Sequence, residues 1–551
     1  MPFRTPPRWA GTLPAVPDNV PLSDFMLNEQ YGRYPLEKSL DPYTCALTRR
    51  TYSALQVKER DKVAAVYSVN TIDTPPLLWA AHRLGAVVSM ANAAYTADEL
   101  VYQLRDSKAT SLFTCSSLLP TALQAAAKTG IPRSRVYLLE TPENTPDTSI
   151  KTVSQLAEEG RHYPEIEELE WTAGEGARRT AFLCYSSGTS GLPKGVMISH
   201  RSVIANTLQI VGFEQDYRDS RETAEPEVAL GLLPQSHIYS LIVICHAGFY
   251  RGDQTIIFPK YTLATYLAAI QEFKICSLFL VPPIIINMVQ NADACSSHDL
   301  SSVTSIFTGA APLGQETAAA FGELLPKVRI RQAYGLTETS TAVSFTHHND
   351  IWFGSSGVLL PGIEVKLLSP EGKEISSYDT PGEVVVRTPS IALGYLNNDR
   401  ATKESFKDGW FHTGDEGVFR LSPSGNEHLF IVDRIKELIK VKGLQDAPAE
   451  LEAHLLTHPL VGDCAVIAVE DPSSGEAPRA IVVPKPNAGV DQKSAGESIQ
   501  QHVRDHKARH KWLRGGIKFV DSIPKSPSGK ILRRVLRDAE KTERKGARSR
   551  L

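Results

Sequence analysis

An α/β fold is predicted for most of the chain, which has 551 residues and is too long for a single hydrophobic core. Short β-rich runs alternate with helical stretches, beginning with residues 63–69 and 76–84. The alternation recurs through the segments SLFTC, RVYLLE, TIIFP, ICSLFLV and SIFTGA. Because parallel strands need crossover connections, repeated strand–helix units predict largely parallel sheets.

The pattern changes after about residue 350. The strands GIEVKLL, GEVVVRT and HLFIVD, punctuated by Pro and Gly, predict an antiparallel β subdomain. Beyond Arg434, a charged helix (PAELEAHLLTH) and the strands CAVIAVE and RAIVVPK predict a small α+β domain. We therefore expect a large N-terminal domain of stacked αβ subdomains plus a β subdomain, residues 1–433, and a small C-terminal domain, residues 434–551.

Two terminal stretches are interpreted from their composition. Residues 1 to about 20 are rich in proline and are interpreted as an extended lead-in. The charged stretch 533–550 is interpreted as a solvated helix end.

Composition excludes several classes of function. The net charge of −3 and the absence of a uniformly basic region argue against nucleic acid as a main partner. Seven scattered cysteines without a CxxC pair suit a reducing compartment and predict neither a zinc site nor a disulfide framework. The apolar runs 241–250 and 277–289 fall short of the roughly 20 residues of a membrane-spanning helix, so both are interpreted as core.

The strongest chemical signal is the segment YSSGTSGLPKG, residues 185–195, which directly follows the apolar run 180–184. Its glycines, serines and threonines supply backbone N–H and O–H donors that can surround phosphate oxygens, and Lys194 adds a positive charge. The segment is not a Walker A loop, because Lys194 lies between Pro193 and Gly195. It predicts a phosphate-binding loop rather than a flexible surface loop.

This loop resembles the phosphate-binding signature of the adenylate-forming superfamily, which includes acyl-CoA synthetases, firefly-type luciferases and peptide-synthetase adenylation domains. Four further segments resemble the family's motifs in the family's order: QAYGLTET (332–339), GWFHTGD (409–415), DRIKELIKVKG (433–443) and PKSPSGK (524–530). The resemblance covers nearly the whole chain. It is closest to fungal phenylacetate–CoA ligase-like and 4-coumarate–CoA ligase-like enzymes.

The resemblance implies that ATP and Mg²⁺ activate a carboxylic acid as an acyl-adenylate, and that coenzyme A then takes the acyl group. An aryl-alkanoic or medium-chain acid is expected, in fungal secondary metabolism. Three alternatives stay open: a stand-alone adenylating enzyme that loads a carrier protein, a luciferase-like oxygenase, and a nucleotide-binding paralogue with impaired catalysis.

Site residues follow from the resemblance, motif by motif. The expected ATP- and AMP-binding residues are Ser186, Ser187, Gly188, Thr189, Ser190, Gly191, Lys194, Ala310, Gln332, Ala333, Tyr334, Thr337, Asp415 and Arg434. The expected catalytic residues are Lys530, Lys436 (the domain hinge), Lys440, Thr337 and Glu338, and Glu338 is also the expected Mg²⁺ ligand. The expected coenzyme A contacts are Lys442, Gly443 and Gln445, and the expected acyl pocket is formed by His237, Tyr239, Gly309 and Ala333.

Within that set, individual roles are also implied. Lys530 would bridge the substrate carboxylate and the α-phosphate, a role suited to a compact charge on a flexible arm. Asp415 would bind the ribose hydroxyls and Tyr334 would lie against the adenine. For His237, a gate to the thiol tunnel and a helix-capping role both remain open.

The chain departs from the family pattern at three places. Only residues 56–60 separate two segments that the family normally joins by a longer helix and loop. Ala333 replaces a glycine of the 4-coumarate branch, and one methyl group is worth roughly 1–3 kcal/mol of discrimination, which favours a slimmer or shorter acid. Asp446 replaces an apolar residue and is expected to face either the coenzyme A phosphates or solvent.

The C-terminal tripeptide Ser549-Arg550-Leu551 is a conservative variant of the Ser-Lys-Leu import signal. It predicts recognition by the peroxisomal import receptor and a peroxisomal location, with a cytoplasmic location as the alternative.

Overall fold

The computed structural model describes residues 2–32, 62–141, 149–162, 168–186, 193–221, 226–442, 444–485, 491–526 and 529–548. In these residues, four β-sheets and their covering helices form a large N-terminal part and a smaller C-terminal part, as the sequence predicts. The boundary between residues 433 and 434 remains a prediction.

The first sheet has seven strands. The last five in the spatial order below, from strand 180–186 to strand 136–138, run parallel to one another. In spatial order the strands are Gly394–Tyr395, Lys194–Ser199, Thr180–Ser186, Val87–Ala91, Val63–Tyr67, Ala109–Thr114 and Val136–Leu138. The helices of this region are Leu22–Leu27, Thr74–Arg83, Ala97–Asp106, Leu119–Thr129, Val153–Gly160 and Glu175–Arg178. The hairpin of Thr180–Ser186 and Lys194–Ser199 brackets the predicted phosphate loop.

A second seven-stranded sheet is also parallel over most of its width. Its strands in order are Val358–Leu359, Thr341–Phe345, Arg329–Leu336, Ser305–Thr308, Ser277–Leu280, Val228–Gly231 and Gln254–Ile257. Its helices are Leu263–Phe273, Pro282–Gln290, Ala292–Ser296 and Gln315–Leu324. The apolar segment at 240–248 forms a fully buried π-helix, so this run belongs to the core, as expected.

The long helix His200–Asp219 is buried between these sheets. Two of its buried polar side chains are hydrogen-bonded to neighbouring segments. Asn206 donates to the carbonyl of Ala342 at 2.9 Å and accepts from the Ala342 N–H at 3.0 Å. Gln209 donates to the carbonyl of Pro361 at 2.8 Å. These bonds satisfy amide groups that would be costly to bury unpaired, and they fix strand Thr341–Phe345 beside the helix.

The third sheet is the predicted antiparallel β subdomain. Its strands are Phe3–Arg4, Glu364–Leu368, Glu374–Ile375, Gly382–Arg387, Phe406–Lys407, Trp410–Leu421 and Glu427–Arg434, with helix Asp399–Ser405 beside them. The N-terminal segment, interpreted from the sequence as an extended lead-in, contains the first of these strands and a short helix. Phe3 pairs with Val365, and Trp9, in the short helix Pro7–Ala10, is 1% exposed, because these aromatic side chains gain by leaving water.

The C-terminal part is built on a five-stranded sheet, mostly antiparallel, with its own core. Its strands are Ile439–Val441, Leu444–Asp446, Val461–Asp471, Gly475–Pro484 and Ile517–Phe519, and its helices are Pro448–Leu455, Gln492–His506 and Arg533–Arg548. The last helix is not simply solvated. Arg533 forms buried ion pairs with Glu437 and Glu452, because an arginine fork can satisfy two carboxylates at once.

In the described residues there is no helix long and apolar enough to cross a bilayer.

Candidate active site

The candidate site lies where the ends of two parallel strands meet the antiparallel sheet. Strand Ser305–Thr308 leads into Gly309 and Ala310, and strand Arg329–Leu336 carries Gln332, Ala333 and Tyr334. Ligands of open parallel sheets bind beyond the carboxyl ends of the strands. Gln332 links the two loops, because its Oε1 accepts the Leu313 N–H at 3.3 Å.

Tyr334 and Asp415 form the wall expected to hold the nucleoside. The Tyr334 hydroxyl donates to Asp415 Oδ2 at 2.7 Å, and Arg434 Nε lies 3.5 Å from Asp415 Oδ1. Asp415 and Arg434 face each other across the paired strands of the β subdomain. Burial raises the pKa of Asp415, while the Arg434 charge and the Tyr334 hydrogen bond act against that rise.

The loop beside this wall carries local backbone strain. Ala310 has φ +67°, a left-handed conformation that costs a residue with a Cβ roughly 1–2 kcal/mol. Strain of this kind persists where the surroundings hold it in place, and it concentrates at binding sites. Gly335 shows a second constraint, since a Cβ there would lie 1.4 Å from the Thr341 carbonyl oxygen, so only glycine fits.

Glu338 accepts hydrogen bonds from two hydroxyl groups next to the predicted phosphate loop. It is 8% exposed, and its Oε1 accepts from the Tyr395 hydroxyl at 3.0 Å and from Ser186 Oγ at 3.4 Å. Lys194 Nζ lies 4.7 Å from the centroid of the Tyr395 ring, a cation–π distance. Thr337 begins the short 3₁₀ turn that holds Glu338 in place. Ser187, Gly188, Thr189, Ser190 and Gly191 lie outside the described residues.

The predicted acyl-pocket residues come together below this loop. A Cβ placed on Gly309 would lie 3.4 Å from the Ala333 carbonyl oxygen and 3.7 Å from Tyr239 Cε1. The Tyr239 hydroxyl donates to the Phe307 carbonyl at 3.1 Å, which fixes the ring. His237 Nδ1 accepts the Tyr239 N–H at 3.3 Å, so this histidine does cap the following turn.

The C-terminal part delivers Lys530 to the same place. The Ser526 N–H donates to the Lys530 carbonyl at 2.8 Å, and the Lys530 N–H donates to Ser526 Oγ at 3.1 Å. These two hydrogen bonds hold the backbone of Lys530 next to Ser526. Gly529, at φ +78°, is packed so that a Cβ would lie 3.1 Å from Pro283 Cγ, on the large domain.

The charge of Lys530 acts on residues of the nucleoside wall and of the acyl pocket. Burial, followed by the nearby Arg434 charge, lowers the pKa of Lys530 to about 8, while Glu437 and Asp415 act in the opposite direction. Burial, with the Lys530 charge, lowers the pKa of His237 to about 4, so this imidazole is neutral at physiological pH. Lys530, Asp415 and His237 therefore share one electrostatic environment.

The sequence also matches known protein families. Residues 49–396 match the AMP-binding enzyme family, and residues 450–530 match the AMP-binding enzyme C-terminal domain. The chain belongs to the AMP-binding enzyme family.

Relatives of this AMP-binding enzyme are similar over nearly their whole lengths. The chain is 37% identical to the acyl-CoA ligase cm3C of Cordyceps militaris, covering 95% of this chain and 88% of that protein. It is 38% identical to the acyl-CoA ligase AFT1-1 of Alternaria alternata, covering 97% of each chain. Among solved structures, the anthranilate CoA ligase AuaEII in complex with anthranoyl-AMP has a TM-score of 0.81 at 24% identity, covering 96% of this chain and 98% of that one. That likeness shows the adenylate-forming fold.

The predicted coenzyme A contacts of this AMP-binding enzyme lie elsewhere in the structure. Lys440 pairs with Gln445 on the hairpin of Ile439–Val441 and Leu444–Asp446, and Lys442 is at its exposed turn with φ +51°. Gly443 lies outside the described residues. Lys436 is exposed in the turn that precedes this hairpin.

Asp446 corrects a sequence interpretation. It faces neither solvent nor an incoming ligand, since it is fully buried with Oδ1 3.2 Å from His510 Nε2. Burial raises the pKa of Asp446, and the neighbouring His510 and Lys511 charges oppose that shift. The sequence could not show this pairing, because Asp446 and His510 are 64 positions apart and only the fold of the C-terminal part brings them together.

Sequence reasoning missed Tyr395. The strand that carries it has two residues, Gly394–Tyr395, and is recognisable only through its pairing with Val196 and Met197. Its hydroxyl and ring nevertheless contact Glu338 and Lys194, two residues that the motifs did identify.

Proposed function

We propose that this AMP-binding enzyme is an ATP-dependent acid–CoA ligase. In the first half-reaction, a carboxylate oxygen of the acid bonds to the α-phosphorus of ATP, the bond from that phosphorus to the bridging oxygen breaks, and pyrophosphate leaves. In the second, the coenzyme A thiol loses its proton to solvent, its sulfur bonds to the acyl carbon, the bond from that carbon to the phosphate oxygen of AMP breaks, and AMP leaves. The observation that carries the proposal is the position of Lys530, which is partly buried, follows a glycine packed against Pro283 of the large domain, and acts through its charge on Asp415 and His237.

Adenylation brings negative groups together, so cations and hydrogen-bond donors are the tools that the chain must supply. Protonated Lys530 would stabilise charge on the carboxylate and the α-phosphate. Tyr334 and Asp415 would orient the nucleoside, and Lys194, Ser186 and Thr337 would hold phosphate oxygens. The loop 187–191 would add its backbone N–H groups by its resemblance to the family motif.

Mg²⁺ fits the oxygen atoms around Glu338. Mg²⁺ prefers oxygen ligands, and here one carboxylate, the Ser186 hydroxyl and the Tyr395 phenol converge. When bound, the ion would neutralise charge on the pyrophosphate group. Glu338 would be its ligand, with Tyr395 and Ser186 orienting that carboxylate.

Thioester formation requires a different arrangement of the C-terminal part. We propose that Lys436 is the hinge and that rotation carries Lys530 away and brings Lys440 toward the site. Lys442, Gly443 and Gln445 would then contact coenzyme A. The exposed hairpin supports this assignment, because residues that meet a cosubstrate only after rotation face solvent before it.

The relatives support the same reaction. Those with 36–40% identity over most of the chain are named acyl-CoA ligases, and they come from fungi such as Cordyceps militaris and Alternaria alternata. A solved neighbour holds anthranoyl-AMP, an acyl-adenylate. We infer an aryl-alkanoic or medium-chain acid of fungal secondary metabolism as substrate, bounded by Gly309, Ala333, Tyr239 and His237.

A panel experiment tests the proposal. Pyrophosphate release from ATP is measured with phenylacetate, cinnamates and medium-chain fatty acids, and the product is then assayed with free coenzyme A or with a phosphopantetheinyl carrier protein. We expect acid-dependent release and thioester formation with free coenzyme A. Transfer only to the carrier would favour the carrier-loading alternative, and no release with any acid would favour the nucleotide-binding paralogue.

We also propose peroxisomal import through Ser549-Arg550-Leu551, which lie outside the described residues. A fluorescent reporter that ends in the last ten or so residues should enter peroxisomes, and the same reporter without the tripeptide should stay in the cytoplasm. Identical distributions of the two reporters would exclude this signal.

A further inference from the structure

Three histidines that have no part in the proposed reaction gather on two packed helices of the C-terminal part. His454 lies on helix Pro448–Leu455, and His502 and His506 lie on helix Gln492–His506. The centroids of the His454 and His502 rings are 4.3 Å apart, those of His454 and His506 5.3 Å, and those of His502 and His506 5.1 Å.

The helices fix this arrangement. His502 and His506 are four positions apart, so they project from one face of their helix, one turn after the other. Leu451 and Leu455 of the first helix and Ile499 and Val503 of the second belong to the same buried cluster. The two backbones are therefore held together by apolar packing, independently of the histidines.

The hydrogen bonds of the rings leave lone pairs available. His454 Nε2 donates to the His502 carbonyl at 3.3 Å, and His506 Nδ1 donates to the same carbonyl at 2.9 Å. His502 Nε2 donates to Thr457 Oγ1 at 2.9 Å, because the Thr457 hydroxyl already donates to the His454 carbonyl. A neutral imidazole that donates from one nitrogen carries a lone pair on the other. Metal-binding histidines typically use one nitrogen in this way, to a backbone carbonyl or carboxylate, and the other for the ion.

The distances suit a shared ion after small side-chain movements. One candidate ligand atom from each of the three residues lies within 4.8 Å of the other two. A tetrahedral zinc site with bonds of about 2.0–2.1 Å needs its nitrogens roughly 3.3 Å apart, so the ligand atoms must approach one another by at most about 1.5 Å. His506 is exposed and His502 is partly exposed, which gives both room to turn and leaves the cluster open to solvent.

We propose that His454, His502 and His506 bind one divalent transition-metal ion such as Zn²⁺, with a water molecule as the fourth ligand. Three imidazoles suit Zn²⁺, Ni²⁺ or Cu²⁺, whereas Mg²⁺ and Ca²⁺ require oxygen ligands. His458 is nearby, with its ring centroid 5.1 Å from that of His502, but both of its ring nitrogens are engaged: Nε2 with Ser498 Oγ at 3.1 Å, and Nδ1 with the Leu460 N–H at 3.2 Å. It is therefore left out of the ligand set.

Isothermal titration of the full chain without a purification tag tests the site, with Zn²⁺ as the probe and Mg²⁺ present in excess. We expect one saturable Zn²⁺ site that Mg²⁺ does not block. His502→Ala and His506→Ala should each raise the Kd for Zn²⁺ at least about tenfold, because loss of even a residue that only hydrogen-bonds to a metal ligand typically lowers metal affinity by that factor. His162→Ala is the matched control, because His162 is an exposed histidine of the large domain, and its Kd should equal that of the unmodified chain.

A second measurement guards against misfolding of a variant. Circular dichroism of His506→Ala should match the unmodified chain, because this side chain is exposed, and Co²⁺ added to the unmodified chain should give visible absorption that His506→Ala lacks. No saturable Zn²⁺ binding by the unmodified chain would overturn the proposal. So would equal affinities of the unmodified chain, His502→Ala and His506→Ala.

Discussion

The hydroxyl of Tyr334 donates a 2.7 Å hydrogen bond to Asp415, and this bond joins two sheets that the chain builds separately. Tyr334 belongs to the mostly parallel sheet of the second αβ subdomain, whereas Asp415 belongs to the antiparallel β subdomain. Arg434 completes the group from the neighbouring strand, at 3.5 Å from the same carboxylate. The proposed nucleoside wall thus depends on how the subdomains pack.

Asp415→Asn should raise the KM for ATP about 10- to 100-fold. Hydrogen bonds to a charged group contribute about 1.5–3 kcal/mol each, and the amide cannot accept from both ribose hydroxyls as the carboxylate can. Tyr334→Phe removes only a neutral donor worth about 0.5–1.5 kcal/mol, so its KM should rise about tenfold or less. ATP-dependent pyrophosphate release measures both values.

The control for this pair is Asp379→Asn, a change at an exposed carboxylate of the same subdomain that pairs with Arg420. It should leave the KM for ATP unchanged. An unchanged KM in Asp415→Asn as well would contradict the ribose role of Asp415.

Lys530→Ala should lower acid-dependent pyrophosphate release about 100- to 1,000-fold, the usual cost of removing one group that stabilises transition-state charge. Conversion of a supplied acyl-adenylate to the thioester should continue, because Lys530 is proposed to have left the site by then. Lys525→Ala is the matched control, since Lys525 is on the same loop but is paired with Asp463 at 2.7 Å. Normal adenylation by Lys530→Ala would show that the role assigned to this lysine is wrong.

The adenylation step should lose kcat/KM as the pH rises through about 8. The pKa of Lys530 is lowered to about 8 by burial and then by Arg434, and a lysine is positively charged below its pKa, so its charge disappears above that pH. Pyrophosphate release measured across pH 6.5 to 9.5 should show this decline.

Lys530→Arg is the comparison for the pH profile, because arginine keeps its charge across that range. Its residual adenylation should show no decline near pH 8, and neither should thioester formation from a supplied acyl-adenylate. The same decline in Lys530→Arg would assign the titration to another group.

Gly309→Ala should shift acid preference toward shorter or slimmer acids without unfolding the protein. The new methyl group would meet the Ala333 carbonyl at 3.4 Å and Tyr239 at 3.7 Å, which are ordinary contacts, and it would take space from the pocket. Relative kcat/KM for a bulky and a small acid should change about 10- to 200-fold. Ala333→Gly should change this ratio in the opposite direction, and an unmoved ratio in both variants would place the acyl pocket elsewhere.

Much of the fold could be predicted from the sequence because it depends on local patterns. Alternation of apolar runs with helical segments predicts the parallel sheets, and Pro/Gly-punctuated strands predict the antiparallel subdomain, as the structure confirms. The motifs also identified Lys530, Asp415 and Tyr334, three residues far apart in the chain that the structure brings to one place. Their catalytic roles stay predictions.

The failures of the sequence interpretation have one physical cause. The segment with Phe3 and Trp9 is interpreted from the sequence only as a proline-rich, extended lead-in, because the strand around Val365 that pairs with Phe3 is distant in the sequence. Arg533 is interpreted from the sequence as part of a solvated helix end, because the sequence does not show that Glu437 and Glu452 lie beside it. In each case the free energy of the side chain is set by partners distant in sequence.

The sequence by itself therefore determined the strand and helix types, the reaction motifs and their order, because these depend on neighbouring residues. Only the tertiary structure decided that Tyr395 contacts Glu338, that Asp446 is buried against His510, and that three histidines share one face of the C-terminal part. Burial and charge pairing act through space, so a linear pattern does not contain them.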